Sequence, residues 1–337
     1  METAAWIERA TGRSVQGAPM LVQELWNGYG RIERWSLASD GTSSNSFNSV
    51  IVKVVDPKDG RASHPRGWAS ERSNARKLTS YRVERAFYER FSPRLGSSVR
   101  VPRCLAKQET PTGGRMLLED LDGAGFRGRR TELSEPELIA CLHWLAGFHA
   151  AFVGVDPAGL WKRGTYWHLA TRPDELAALQ DPELRCAAPM IDARIGAARF
   201  QTLVHGDAKL ANFCFSSPSA SAAHPAAVAA LDFQYVGGGI GVQDVGYFLG
   251  SCLDGNSLER MAQIYLDTYF ESFARCLAAR PGEQTPDPSA VESEWRSLWP
   301  DTWADFHRFL SGWAPDHWKL SVYSERWTRF VLNRALE

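Results

Sequence analysis

Residues 203–213 read Leu-Val-His-Gly-Asp-Ala-Lys-Leu-Ala-Asn-Phe. The apolar opening is that of a strand running into a loop, and the loop sets His205, Asp207, Lys209 and Asn212 into one short polar run. A little further on, residues 227–234 read Ala-Val-Ala-Ala-Leu-Asp-Phe-Gln, an apolar strand ending in a second carboxylate, Asp232. A carboxylate, an amide five residues after it and a second carboxylate beyond a hairpin suit phosphoryl transfer. The first acid can accept or orient a hydroxyl proton. The amide and the second acid can hold magnesium on nucleotide phosphates, since an oxygen-only set suits that hard cation.

The order His-Gly-Asp-x-x-x-x-Asn and then Asp-Phe-Gln resembles the aminoglycoside phosphotransferase and choline kinase superfamily. Its wording is closest to the ecdysteroid-kinase-like branch and its bacterial relatives. The resemblance spans residues 28 to 247 and implies an α+β class with a bilobal, protein-kinase-like fold. An N-lobe of residues 1–121 would carry an antiparallel sheet with one main helix. A larger, mostly helical C-lobe of residues 122–337 would carry the catalytic loop, the metal site and the acceptor region. ATP and Mg2+ are the implied cofactors. Asp207 is then the catalytic carboxylate, Asn212 and Asp232 are the metal ligands, and Lys209 matches the position from which protein kinases aim a lysine at the γ-phosphate.

Upstream, residues 19–26 and 31–37 read as two strands around the turn Asn27-Gly28-Tyr29-Gly30. Gly28 and Gly30 would let backbone N–H groups approach phosphates unobstructed, although such turns are also plain hairpins. A third strand, residues 49–55, places Lys53 on the face of Ile51 and Val55. A lysine within a strand core needs a partner, unless the strand is an edge and its head reaches solvent. On the helical stretch 77–91, Tyr81, Glu84, Phe87, Tyr88 and Phe91 follow three-and-four spacing. Glu84 lies on that apolar stripe and is the expected partner of Lys53, resembling the lysine–glutamate pair of kinase folds, with Lys53 on the α- and β-phosphates.

Residues 99–105 and 115–119 read as two further strands, which run into Asp120-Leu121-Asp122. The resemblance makes this the hinge, where the backbone from Glu119 to Leu121 would hydrogen-bond adenine, while the Glu119 and Asp120 side chains read as a solvated strand end. Ser134-Glu135-Pro136-Glu137 opens a helix as a capping box. His149 on that helix reads as a packed or satisfied histidine, and His205 as a hydrogen-bonding support of the loop. Residues 237–241 read as a glycine-rich loop, and the resemblance makes Asp244 a brace behind the catalytic loop. The aromatic and basic stretch 159–176 suits either an acceptor wall or a structural cluster. Trp295, Trp299, Trp303 and Phe306 recur at helical spacing, which fits a core stripe better than a cation cage, with Pro300 breaking or kinking the helix.

At 337 residues and a net charge of −1, the chain is long enough for two lobes and lacks the basic excess of a nucleic-acid binder. No apolar run approaches the ~20 residues of a membrane helix, and the first residues lack a secretory pattern. Six scattered cysteines without ligand spacing fit a reducing cytoplasm and no zinc site. The expected partner is a small-molecule hydroxyl acceptor, not nucleic acid or membrane. The short turn at Gly28 and the missing activation-segment pattern after Asp232 argue against a protein acceptor. A non-catalytic nucleotide-binding protein on the same fold is the alternative.

Overall fold

A computed structural model describes residues 2–25, 28–39, 48–57, 71–110, 113–216, 227–280 and 285–334. Helix α1 (Glu2–Thr11) precedes strands β1 (Val15–Glu24), β2 (Gly30–Leu37) and β3 (Ser49–Val55), helix α2 (Glu71–Arg90), and strands β4 (Cys104–Glu109) and β5 (Gly114–Glu119). The five strands form one antiparallel sheet in the order β1-β2-β3-β5-β4. Strand periodicity explains what lies on its two faces. Val50 and Val52 pack with Trp6 and Ile7 of α1, whereas Val55, on the Lys53 face, packs with Tyr81 of α2.

The rest is mostly helical. Helix α3 (Glu135–Phe152) is followed by α4 (Pro173–Ala178), α5 (Pro182–Gly196), short strands β6 (Thr202–Val204), β7 (Phe213–Phe215), β8 (Val228–Ala230) and β9 (Gly237–Gly239), then α6 (Gly241–Cys252), α7 (Gly255–Ala278), α8 (Pro288–Ser297), α9 (Trp299–Trp313) and α10 (Val322–Arg334). At the start of α3, Glu137 accepts from both the backbone N–H and the hydroxyl of Ser134. The central core is aromatic. Phe233 stacks on Phe87 of α2 at 4.0 Å and packs near Trp144 and Phe148 of α3. Because Phe233 follows Asp232, this stack fixes that carboxylate relative to α2.

Two expectations are corrected. The strand expected at 99–105 begins only at Cys104, because Pro102 lacks a donor N–H and Val99 and Val101 turn into the core. The glycine run at 237–241 is not a loop. Gly237–Gly239 pairs with β6, and a Cβ on Gly237 would lie 2.2 Å from the Trp161 carbonyl oxygen. The break expected at Pro300 is present: α8 and α9 meet at Leu298, with Pro300 in the first turn of α9. Trp295, Trp299 and Trp303 are buried, as a core stripe requires. Residues 26–27, 40–47, 58–70 and 217–226 lie outside the described residues, and with them part of the expected glycine turn.

The Leu25 N–H donates to the Gly30 carbonyl and the Gly28 N–H to the Leu25 carbonyl. Gly30 sits at φ +141°, and a Cβ there would lie 2.0 Å from the Val54 carbonyl oxygen. Gly30→Ala is therefore expected to cost about 2–4 kcal/mol, read as a lowered urea midpoint at constant m. A loss under about 0.5 kcal/mol would mean that the β2–β3 approach relaxes freely.

Candidate active site

The loop after β6 is built from behind. The buried Asp244 on α6 accepts from the His205 N–H at 2.5 Å and the Gly206 N–H at 2.9 Å, and meets His149 Nε2 at 3.1 Å. Gly206 is left-handed at φ +78°, and a Cβ there would strike the Tyr235 carbonyl oxygen at 2.1 Å. His205 Nε2 lies 3.1 Å from the Leu231 carbonyl oxygen, and its Nδ1 accepts the Asp207 N–H at 3.3 Å. One histidine thus ties the loop to the strand end that carries Asp232.

Asp207 faces a cleft and is 7% exposed. Its Oδ2 accepts from Lys209 Nζ at 3.0 Å and Asn212 Nδ2 at 3.1 Å, and its Oδ1 accepts from the Tyr247 hydroxyl at 3.1 Å. Burial alone would lower the Lys209 pKa, but the Asp207 carboxylate outweighs it and holds the lysine above its ordinary value. Asn212 also donates to the Asp207 carbonyl at 2.8 Å, so its amide nitrogen is engaged and its Oδ1 is the atom free to meet a cation. The Leu231 N–H donates to the Asn212 carbonyl at 3.0 Å, which brings Asp232 beside it.

Asp232 is left-handed at φ +70°, a conformation non-glycine residues rarely adopt. Gln234 Nε2 donates to its Oδ1 at 2.5 Å, and Lys53 Nζ lies 3.8 Å from the same oxygen. Burial would raise the Asp232 pKa, but Lys53, Lys77 and Lys209 overcome it and hold the carboxylate below its usual range. Lys53 reaches Glu84 Oε2 at 2.6 Å, with both side chains buried. Burial opposes charge on both. Lys53, faced by two carboxylates, is nevertheless held above its ordinary pKa; Glu84 is raised by its burial, with the like charge of Asp232 adding to it and Lys53 opposing it. An amide oxygen and a carboxylate together fit a hard cation such as magnesium.

The hinge side chains depart from expectation. Glu119 and Asp120 are not a solvated strand end; they are 5% and 2% exposed. Arg100 meets Glu119 at 2.6 Å, while Arg34 and Ser49 meet Asp120 at 2.7 and 2.6 Å. The arginines neutralise the acids, so burial is tolerated. Along the backbone, the Glu119 N–H donates to the Arg103 carbonyl, and the Asp120 and Leu121 carbonyls accept from Ala124 and Phe126. Adenine recognition there would fall to the remaining backbone groups.

A cavity of about 490 Å³ opens beside the 205–212 loop, and of the expected site residues Asp207, Lys209 and Asp232 line it. Lys53 and Asn212 contact the lining residues Asp232 and Asp207, and Glu84 meets Lys53, but none of the three lines the cavity, nor do Gly28, Gly30, Glu119 and Leu121. Of its remaining wall, Tyr166 and Arg172 come from the 159–176 stretch read as a possible acceptor wall, whereas Arg76 and Lys77 from α2, Tyr247 from α6 and Lys319 before α10 were not foreseen. Lys77 and Glu84 are two helical turns apart on α2, and Tyr247 follows Asp244 by three residues, so helical spacing could have found both. Arg172 and Lys319 carry no such spacing signal.

Fold and cleft together define a kinase-like phosphotransferase. The chain belongs to the phosphotransferase enzyme family, whose model matches residues 63–284. A solved structure of a candidate aminoglycoside phosphotransferase from Ralstonia eutropha is similar at a TM-score of 0.50 and 15% identity, covering 99% of this chain and 94% of that one. Similarity also extends to an aminoglycoside phosphotransferase solved with ADP and hygromycin B (TM-score 0.48, 11% identity, 100% of each chain). A microcompartment-associated aminopropanol kinase is similar at 0.47 and 14% identity, covering 100% of this chain and 98% of that one. Among curated proteins none matches this chain. No described helix is long and apolar enough to cross a membrane.

Proposed function

We propose that this chain is an ATP-dependent kinase that transfers the γ-phosphoryl group to a hydroxyl of a small molecule. The observation that carries the reading is convergence. Lys53, paired with Glu84 at 2.6 Å, also lies 3.8 Å from Asp232, and Asn212 joins the neighbourhood of Asp232 to Asp207. Positioning and charge neutralisation are what phosphoryl transfer requires of a protein.

Asp207 is held by Lys209, Asn212 and Tyr247 with its carboxylate toward the cleft, where it takes the acceptor's hydroxyl proton. The hydroxyl oxygen bonds to the γ-phosphorus, the bond from that phosphorus to the bridging oxygen breaks, and ADP leaves with the electron pair. Asn212 Oδ1 and Asp232 would hold Mg2+, which neutralises phosphate charge. Lys53 would hold the α- and β-phosphates, the Gly28–Gly30 turn would cover them, and the 119–121 backbone would meet adenine. The lobes would divide at residues 121 and 122. Within the family, the motif wording favours the ecdysteroid-kinase-like branch, and six free cysteines fit a reducing cytoplasm.

Calorimetric titration with Mg–AMP-PNP tests this. The wild type should bind only when magnesium is present, and Asp232→Asn should bind at least about tenfold more weakly. A wild-type chain that takes up no Mg–AMP-PNP removes the kinase reading. Equal uptake by the variant removes Asp232 from the metal site.

A further inference from the structure

The cavity beside Asp207 has an unbalanced charge. Five lysine and arginine side chains line it, Arg76, Lys77, Arg172, Lys209 and Lys319, against two acidic ones, Asp207 and Asp232. Both acids already have tasks, since Asp207 meets Lys209 and Asp232 faces Lys53. Lys77 donates to Gln234 at 2.7 Å and so sits on the metal side. Arg76, Arg172 and Lys319 remain for the acceptor.

Their partners are mostly neutral. Arg76 donates to the Thr171 carbonyl at 2.9 Å and the Ser73 hydroxyl at 3.2 Å. Arg172 donates to the Tyr166 carbonyl at 2.6 Å and meets one carboxylate, Glu175, at 3.0 Å. Lys319 lies over the Tyr247 ring at 4.8 Å. Among the described residues, neither Arg76 nor Lys319 has a carboxylate within 4.0 Å. Burial pushes the Lys319 ammonium down to about 8 against the pull of Asp207, and burial with the like charge of Arg172 lowers Arg76. The acids scattered through the C-terminal third lie elsewhere. Asp254 caps α7, Glu259 meets Arg326 and Asp267 meets Arg296.

A polycationic acceptor would bring like charge into this partly buried wall, which is repulsive there. An oxyanion would relieve it, because guanidinium groups recognise carboxylates and phosphates through charge-assisted hydrogen bonds. The apolar part of the wall, with Tyr166, Phe309 and Trp313, suits a planar or apolar body. Resting on the kinase reading above, we propose that the acceptor is an anionic alcohol: a hydroxyl compound whose carboxylate or phosphate faces Arg76 and Arg172 while its hydroxyl meets Asp207. Lys319 flanks the same group.

The test uses three probes on one skeleton, in the presence of Mg–AMP-PNP. They are 3-phenyllactate (anionic), 3-phenyl-1,2-propanediol (neutral) and phenylalaninol (cationic), with glycerol phosphate and kanamycin as further arms. Binding is followed by calorimetry at constant ionic strength. At least one of the two anions should bind about tenfold or more tightly than its neutral or cationic counterparts, and which one binds separates carboxylate from phosphate. Arg172→Gln and, independently, Lys319→Gln should each erode that preference, with Mg–AMP-PNP binding reporting that the variants are folded. Tighter binding of phenylalaninol or kanamycin, no binding of either anion, or an anion preference unchanged in both variants overturns the proposal. Failure to bind Mg–AMP-PNP at the outset overturns the kinase reading instead.

Discussion

Asp207→Asn should lower kcat for phosphoryl transfer by about 10²- to 10⁴-fold, the range general-base and orienting carboxylates contribute. The substitution keeps the side chain's shape and removes its ability to accept a proton. The neighbourhood makes it costly in a second way. Three donors converge on the carboxylate, namely Lys209 Nζ, Asn212 Nδ2 and the Tyr247 hydroxyl. An amide offers one acceptor oxygen and turns an NH2 toward at least one of those donors, so about 1–3 kcal/mol of stability should go with it. The two effects separate experimentally. Urea unfolding reads the stability loss, and calorimetry with Mg–AMP-PNP should give a dissociation constant within about threefold of wild type, because Asn212, Asp232 and Lys53 remain. A transfer rate within threefold of wild type, in a folded variant that binds nucleotide, would take Asp207 out of the chemistry.

What could be read in the sequence, and what could not, follows from the range of the interactions. The Lys53–Glu84 contact is legible because each residue sits on a regular element. Period two puts Lys53 on one face of β3, period 3.6 puts Glu84 on the apolar stripe of α2, and an ionisable group on each buried face demands the other. Asp244 is legible as a brace through the family resemblance, not through any local pattern. Glu119 and Asp120 misled because their charge is cancelled from a distance: Arg34 lies on β2 and Arg100 precedes β4, and no local pattern announces either partner. Gly237–Gly239 carries no strand propensity. It is a strand because the Trp161 backbone approaches so closely that only glycine fits. The basic wall of the cavity assembles from α2, the segment before α4 and the segment before α10, so its charge is a property of the fold alone.

Asp244→Ala should be the most damaging single change to the fold of the site. Asp244 is wholly buried, and its two carboxylate oxygens receive the His205 and Gly206 N–H groups and the His149 ring nitrogen. Deleting the carboxylate leaves those groups facing a dry cavity, at an expected cost of about 3–5 kcal/mol. The damage has a direction. His149 is held at its other nitrogen by the Tyr269 hydroxyl at 2.8 Å, and its own carbonyl accepts from Thr202 at 2.7 Å, so the α3 side stays anchored. His205 and Gly206 lose their restraint, and they carry Asp207. Asp244→Asn retains one acceptor and should cost about 1–3 kcal/mol, its amide hydrogens meeting one of the incoming donors. Native-state hydrogen exchange discriminates local from global loosening. The amides of His205 and Gly206 should lose more protection in Asp244→Asn than the amides of α3 or α7, and transfer activity should fall further than nucleotide binding. Uniform loss of protection across α3, α6 and the loop would make Asp244 a general core residue, and undiminished protection at His205 and Gly206 would mean that the loop stands without its brace.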